Sequence, residues 1–191
     1  MAYEEAKYAV ITKDGDFELR QYEPHLVAET FVAGDFDNVG NEGFRRIFKY
    51  ISGENQKKQS ISMTAPVSQD ANSEKIAMTA PVNQEKTGNQ WRIAFLMPSA
   101  YTLEKLPQPL DPKVLLKEIP ARRMAAITYS GTWSKKRYEE KKALLDIFIK
   151  KQGLQSIGEP VFARYNPPFM PWFLRRNEVL LQVKGPDSER K

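Results

Sequence analysis

"LVAETFVAGDF" (Leu26 to Phe36) and "MAAITYSGTW" (Met124 to Trp133) decide the fold. Each is a β-rich run closed by a glycine and then an aromatic residue. Gly34 aligns with Gly131, and Phe36 with Trp133, at one shared offset of 97 residues. A helical pattern follows each. After the first, Phe36, Val39, Gly43, Phe44, Ile47, Phe48 and Ile51 recur at three- and four-residue spacing, which is one face of a helix. Asp35 or Asp37 can cap its start and Gly53 can end it. After the second, Tyr138, Leu144, Leu145, Phe148 and Ile149 form the apolar stripe of a helix from Ser134 to about Gln152, stopped by Gly153. "PVFARY" then returns as a strand. Strand, Gly-aromatic, helix, strand therefore occurs twice. This is a twofold internal repeat of about 97 residues rather than a solenoid, which needs three or more short units; the alternative is chance similarity of two strand–helix units. Strands segregated from helices predict an α+β protein, an antiparallel sheet covered by two helices.

The flanking segments extend this plan. "YAVITKDGDFELRQY" holds two β-rich runs around Asp14-Gly15, a hairpin signal. "WRIAFLMP" (Trp91 to Pro98) reads as another strand. "LPQPLDPK" (Leu106 to Lys113), with three prolines, reads as the connector between halves. "KGPDSERK" is a polar, frayed tail.

One phrase is written twice. "ISMTAPVSQ" (Ile61 to Gln69) and "IAMTAPVNQ" (Ile76 to Gln84) agree at seven of nine positions, fifteen residues apart. Ile, Met, Ala and Val alternate with smaller or polar residues, which predicts paired strands with one apolar face. A symmetric hairpin puts Met63 opposite Ala80 and Met78 opposite Ala65, large against small. Pro66 and Pro81 cannot donate to a ladder and belong at an edge, an end or a bulge. Core packing by flexible methionine is the favoured account. The other is that two thioethers line a pocket for a flat apolar ligand.

Composition narrows the chemistry. The 191 residues suit one domain or a tight pair of half-domains. There is no cysteine, which excludes disulfides, thiolate metal sites, iron–sulfur clusters and cysteine nucleophiles. The N-terminal stretch has no apolar signal-peptide core, and no run approaches the length of a spanning helix, so a cytoplasmic protein is expected. A net charge of +5 favours anionic small molecules without implying nucleic acid. In "KKRYEEKK", Lys135 precedes Glu139 by four residues and Lys136 precedes Glu140 likewise, a solvated helix face.

His25 is the single histidine, so a two-histidine metal site is excluded. One histidine or a methionine thioether can hold haem iron, which keeps His25 as a weak candidate. No nucleophile elbow, P-loop or dinucleotide fingerprint is present. Glu178 with Tyr165 is the conceivable acid–base pair, the alternative being that Glu178 anchors Arg175 or Arg176. The closing stretch "RYNPPFMPWFLRRNEVLLQV" sets Phe169, Met170, Trp172, Phe173 and Leu174 beside Arg175 and Arg176. An apolar wall with arginines is the chemistry for an amphiphilic anion. Left exposed, such a loop is a binding edge, open to a protein contact.

With "KYISGEN", the "MTAPV" phrase and "YNPPFMPWFLRRNEV" in order from about Tyr8 to Val183, the chain resembles the SOUL/haem-binding protein family. The resemblance implies two pseudo-repeated β-α-β-β-type halves, about 8–105 and 113–184, within a single domain 1–186 before a polar tail 187–191. They form a distorted, open, eight-stranded antiparallel barrel or sheet flanked by two helices. It implies kinship with effector-binding domains of bacterial regulators, which hold apolar cations. It also implies reversible binding of haem or another tetrapyrrole in a shallow apolar cleft, for buffering, transport or sensing, with no structural metal. The contacts fall on Asn41, Phe44, Phe48 and Lys49 of the first helix, with Arg45 as a compensating charge, and on Met170 and Arg175 of the closing loop. Asn41 stands where one branch has arginine, and Met170 where it has a basic residue. Gln21 occupies the position of a family histidine, so no axial ligand is assigned. Hydrolysis is the less favoured possibility. Within the resemblance the second "MTAPV" reads as a local duplication, and Met63 and Met78 yield to the first helix and closing loop as ligand contacts.

Overall fold

The computed structural model describes residues 3–56 and 73–185. The elements run β1 (Tyr8–Asp14), β2 (Phe17–Tyr22), β3 (His25–Ala33), α1 (Phe36–Ile51), β4 (Asn55–Gln56), β5 (Val82–Thr87), β6 (Gln90–Leu96), β7 (Gln108–Pro109), β8 (Leu115–Ile119), β9 (Arg122–Tyr129), α2 (Lys135–Lys151), β10 (Gln155–Arg164), a 3-10 turn (Trp172–Leu174) and β11 (Asn177–Lys184). Nine strands form one open antiparallel sheet in the order β1-β2-β9-β11-β10-β5-β6-β3-β8, and β4 pairs with β7 apart from it. The fold is α+β, as expected.

The order is palindromic about the β10–β5 pair. Outward from it, β11 answers β6, β9 answers β3 and β2 answers β8, giving eight symmetric strands. The ninth, β1, is added outside β2 through the Asp14-Gly15 hairpin. Gly34 and Gly131 make the repeat concrete. They have φ of 139° and 135°, where L side chains are strained, so both halves turn from strand into helix through the same glycine-only backbone. Asp35 takes the N-cap position of α1. At α2 the Ser134 hydroxyl accepts from the Arg137 N–H.

Both helices cover one face. Ile47, Tyr50 and Ile51 of α1 pack on Ile93 and Phe95 of β6 and Ala28 of β3. Tyr138, Leu145, Phe148 and Ile149 of α2 pack on Ala125, Ile127, Val179 and Leu181. Leu144 departs from the expected stripe and is exposed, because it points off the contact line. The alternate residues Met124, Ala126 and Leu180 face the other way, covered in part by Ala6 and Tyr8.

Three expectations change. Of the doubled phrase, the first copy lies outside the described residues, and with it the hairpin pairing of Met63 and Ala65. The second copy is not a strand up to Pro81. It is an irregular segment with one parallel bridge, Glu4 to Thr79. Its strand begins at Val82, and Pro81 sits just before that end, where a residue without an N–H belongs. The proline-rich connector carries a short strand, β7, and buries Leu106 completely. Strand β8 was not expected, and β5 lies later in the chain than the expected strand, sharing with it only Val82 to Gln84. Among the described residues no helix is long and apolar enough to cross a membrane.

Candidate functional site

A cleft of about 140 Å³ opens on the helix face, where α1 meets the segment leading into α2. Its floor is Val82 and Gln84 of β5 and Ile93 of β6. Asn41 and Phe44 of α1 form one wall, and Trp133, Pro167 and Pro168 the other. Gly43 brings α1 this close. A Cβ there would meet Ile93 Cγ1 at 2.3 Å, so only glycine lets the helix backbone rest on β6. Phe44 packs on Phe95 with ring centroids 5.3 Å apart. Phe48, 43% exposed, stacks on Phe44 at 5.7 Å and 12° and carries the apolar wall out of the cleft.

Among the described residues, one cation lines this space. Arg164, at the end of β10, donates through Nη2 to Gln84 Oε1 (3.0 Å) and through Nε to the Tyr138 hydroxyl (3.3 Å). Its Cζ lies 5.2 Å from the Trp133 ring centroid. Gln84 is buried and donates in turn to the Phe36 carbonyl (2.9 Å), while burial pushes the Tyr138 hydroxyl pKa up and keeps it a neutral donor or acceptor. Among the described residues, Arg164 Nη1 has no protein acceptor. Among the described residues, no carboxylate lines the cleft. Trp133 is held by Nε1 donation to Asn177 Oδ1 (2.7 Å), and Asn177 donates to the Gly131 carbonyl (3.1 Å).

The expected contacts divide. Asn41 and Phe44 line the cleft, and Phe48 extends it. Arg45 and Lys49 lie exposed on the flank of α1, with Lys49 Nζ 3.5 Å from Glu54. Met170 and Arg175 do not line it. Arg175 spends its guanidinium on the closing loop, donating to the carbonyls of Met170 and Pro168 (2.7 Å each), and stacks 4.3 Å from the Trp133 ring. Met78 is half-buried and lines the cleft, so one thioether of the doubled phrase does face this space. Trp133, Arg164 and Gln84 were missed as site residues. Trp133 carried a signal in the repeated Gly-aromatic pair; Arg164 and Gln84 carried none.

His25 lies elsewhere, beside the N-terminal segment, in a pocket of about 190 Å³ lined also by Glu4, Glu5, Glu23 and Glu118. Four carboxylates make that pocket a poor host for an anion. Burial, with Arg122 and Arg92 nearby, depresses the His25 pKa despite its contact with the Glu23 carbonyl.

Glu178 is an anchor. Its buried carboxylate accepts from Arg20 Nη1 and Nη2 (2.8 and 2.9 Å), the Tyr165 hydroxyl (2.6 Å), the Thr128 hydroxyl (3.0 Å) and Arg176 Nη2 (3.0 Å). Burial raises its pKa, but Arg20 foremost, with Tyr165 and Arg176, outweighs burial and holds the carboxyl below its ordinary range. It anchors Arg176, one of the two expected partners, and not Arg175. A carboxylate so fully committed has no lone pair left for a substrate.

The SOUL heme-binding protein family model matches residues 3–182. Heme-binding protein 2 of Homo sapiens is 28% identical over 181 residues, covering 93% of this chain and 83% of that protein. Heme-binding protein 1 of Xenopus tropicalis is 27% identical over 169 residues, covering 87% and 84%. Among solved structures, a hydrolase from Listeria innocua superposes with a TM-score of 0.61 at 13% identity, covering 91% of this chain and 94% of that one. The C-terminal domain of EcmrR superposes with a TM-score of 0.57 at 12% identity, covering 93% and 98%. These two likenesses show a shared fold.

Proposed function

The chain belongs to the SOUL heme-binding protein family, and from that premise we propose that it binds haem or a related tetrapyrrole reversibly across the cleft between α1 and Trp133, as a buffer, carrier or sensor in the cytoplasm that does no chemistry on its ligand. One observation carries this reading: the cleft is walled by Phe44, Ile93, Trp133 and two prolines and, among the described residues, holds the single cation Arg164 and lacks a carboxylate. A flat apolar macrocycle with carboxylate arms fits that set. An apolar cation does not, since Glu178, the buried acid bonded to the cleft residue Tyr165, is neutralised by Arg20 and Arg176.

The cleft is smaller than the roughly 300–1,000 Å³ that encloses a whole ligand. A tetrapyrrole would enter by one edge and lie along Phe44 and Phe48 with its other face toward solvent. Shallow seating of this kind suits exchange. Arg164 would take a propionate through its Nη1 edge, and the porphyrin ring would supply the Soret band, so the iron is not needed for binding.

Titration of the protein with haemin tests this. A saturable Soret shift at micromolar protein is expected, and Arg164→Gln should weaken it about tenfold, the loss of one charge-assisted hydrogen bond of roughly 1.5–3 kcal/mol. Phe48→Asp should weaken it as well, with an unchanged circular dichroism spectrum. Metal-free protoporphyrin should bind about as tightly as haemin. Absence of any saturable shift would refute the reading. Unchanged affinity in both variants would move the site away from this cleft.

A further inference from the structure

We propose that the closing loop, Pro167 to Leu174, is a tip that inserts into the interface of an anionic lipid bilayer. Phe169, Trp172, Phe173 and Leu174 are 85%, 56%, 58% and 61% exposed, a run of large apolar side chains that soluble surfaces rarely show together. They are held outward by a loop that pairs part of its own backbone. Met170 N–H donates to the Pro167 carbonyl (3.1 Å), Leu174 N–H to that of Pro171 (2.9 Å) and Arg175 N–H to that of Trp172 (3.4 Å). The Arg175 side chain closes the Pro168 and Met170 carbonyls. Pro167, Pro168 and Pro171 have no N–H to satisfy.

That combination suits the bilayer interface, where large apolar side chains enter the headgroup boundary while water and headgroups satisfy the backbone groups the loop leaves over. Trp172 and Phe173 meet edge to face at 5.6 Å, a rigid aromatic pair of the kind that sits at headgroup depth. The surroundings supply the charge. Arg175 follows the tip directly, whereas the Arg176 guanidinium is paired with Glu5 and Glu178. Trp133, under Arg175, leads straight into Lys135, Lys136 and Arg137 at the start of α2. A basic collar behind an apolar tip, on a chain of net charge +5, complements an anionic surface. A protein partner would need a groove shaped to this convex tip, whereas lipid needs no directional match.

The loop also shares Pro167 and Pro168 with the cleft. If the tetrapyrrole reading holds, an inserted tip would place the cleft mouth where amphiphilic porphyrins partition. The tip itself does not depend on that reading, and its test contains no haemin.

The full chain is sedimented with vesicles of phosphatidylcholine alone and of phosphatidylcholine with phosphatidylglycerol. The wild type is expected to pellet with the anionic vesicles and to be released by high salt. Phe169→Ser with Phe173→Ser should lower partitioning at least about tenfold, since each buried aromatic contributes roughly 1.5–3 kcal/mol. Both side chains are exposed, so circular dichroism and the haemin titration should be unchanged. Wild-type protein that stays in the supernatant with both vesicles overturns the proposal. So does a double variant that pellets as well as wild type. A dimer in sedimentation velocity that the same variant dissolves, without vesicle binding, would assign the tip to a second copy of the chain instead.

Discussion

Glu178 illustrates how a residue that resembles a catalytic acid can serve the fold. Its carboxylate and the Arg20 guanidinium are both buried, and each is fully hydrogen-bonded. Removing one partner strands the other, which costs about 3–5 kcal/mol. Glu178→Gln should therefore lower the unfolding free energy measured in urea by that amount, whereas Arg20→Met combined with Glu178→Leu should recover most of it. The pH dependence follows from the depressed pKa of Glu178, joined by Glu18, which Lys13 and Arg20 lower against a burial cost. The unfolded chain binds these protons more tightly than the folded one. Stability is thus complete above the ordinary value of 4.5 and is lost as pH falls through the lower folded values. Unfolding free energy measured from pH 6 downward, about two units across the ordinary carboxylate range, should drop in the wild type and less steeply in Glu178→Gln. Equal slopes would remove Glu178 from the acid-sensitive set. His25 should be silent in ligand binding: His25→Ala should titrate with haemin like the wild type, and a lost Soret shift would give His25 the axial role the structure withholds.

Helix α1 does two jobs, and one glycine joins them. Gly43→Ala would gain up to about 1 kcal/mol of helix propensity. The new Cβ would lie 2.3 Å from Ile93 Cγ1 and 2.7 Å from its Cβ. The Ile93 Cβ is fixed to the β6 backbone, so no rotamer change relieves the contact and the helix must lift. Overpacking of this kind costs about 1–3 kcal/mol, so a net loss of stability is expected in thermal unfolding, together with weaker haemin binding as the cleft wall moves. A stabilised variant would show that α1 is not seated on β6 as described. In sequence Gly43 fell on the apolar stripe without a reason; the close approach supplies one. Both helices and the strands with alternating apolar residues are legible because burial on one face writes a period into the chain. Strand β5 is not legible, because "VNQEKT" is polar. Its central buried position, Gln84, is paid for by hydrogen bonds to Phe36 and Arg164 that no local pattern encodes. The same holds for the cleft. Asn41, Phe44 and Phe48, expected from the family resemblance, share one helix and lie at the cleft. Trp133 and Arg164 meet them only through strand pairing between the halves, which local sequence does not record.

At the scale of the whole molecule, the two halves are interlocked through their edges. Strand β2 precedes β3 in the chain but pairs with β9, Leu19 lying opposite Ala125. Strand β8 precedes β9 but pairs with β3, Leu116 lying opposite Ala28. Each half thus lends its leading strand to the other, and β10 joins β5 across the centre, Phe162 opposite Gln84. Unfolding one half alone would break three strand pairings and expose the residues buried beneath them, Leu19 and Ala28 being among the residues at those pairings. No stable half-folded state should survive that exposure. Urea unfolding followed by far-ultraviolet circular dichroism and by tryptophan fluorescence should give one coincident transition. Native-state hydrogen exchange should sharpen this: amides of β6, such as those of Ala94 and Phe95, and of β11, such as those of Val179 and Leu181, should open with the same free energy, the global one. Leu19→Pro supplies the decisive case, because it removes a ladder N–H from a strand that belongs to one half by sequence and to the other by pairing. If the exchange of leading strands couples the halves, protection must fall in β6 as well as in β11. Protection lost in β11 alone would mean that each half folds on its own and that the interlock is a consequence of docking rather than a condition of folding.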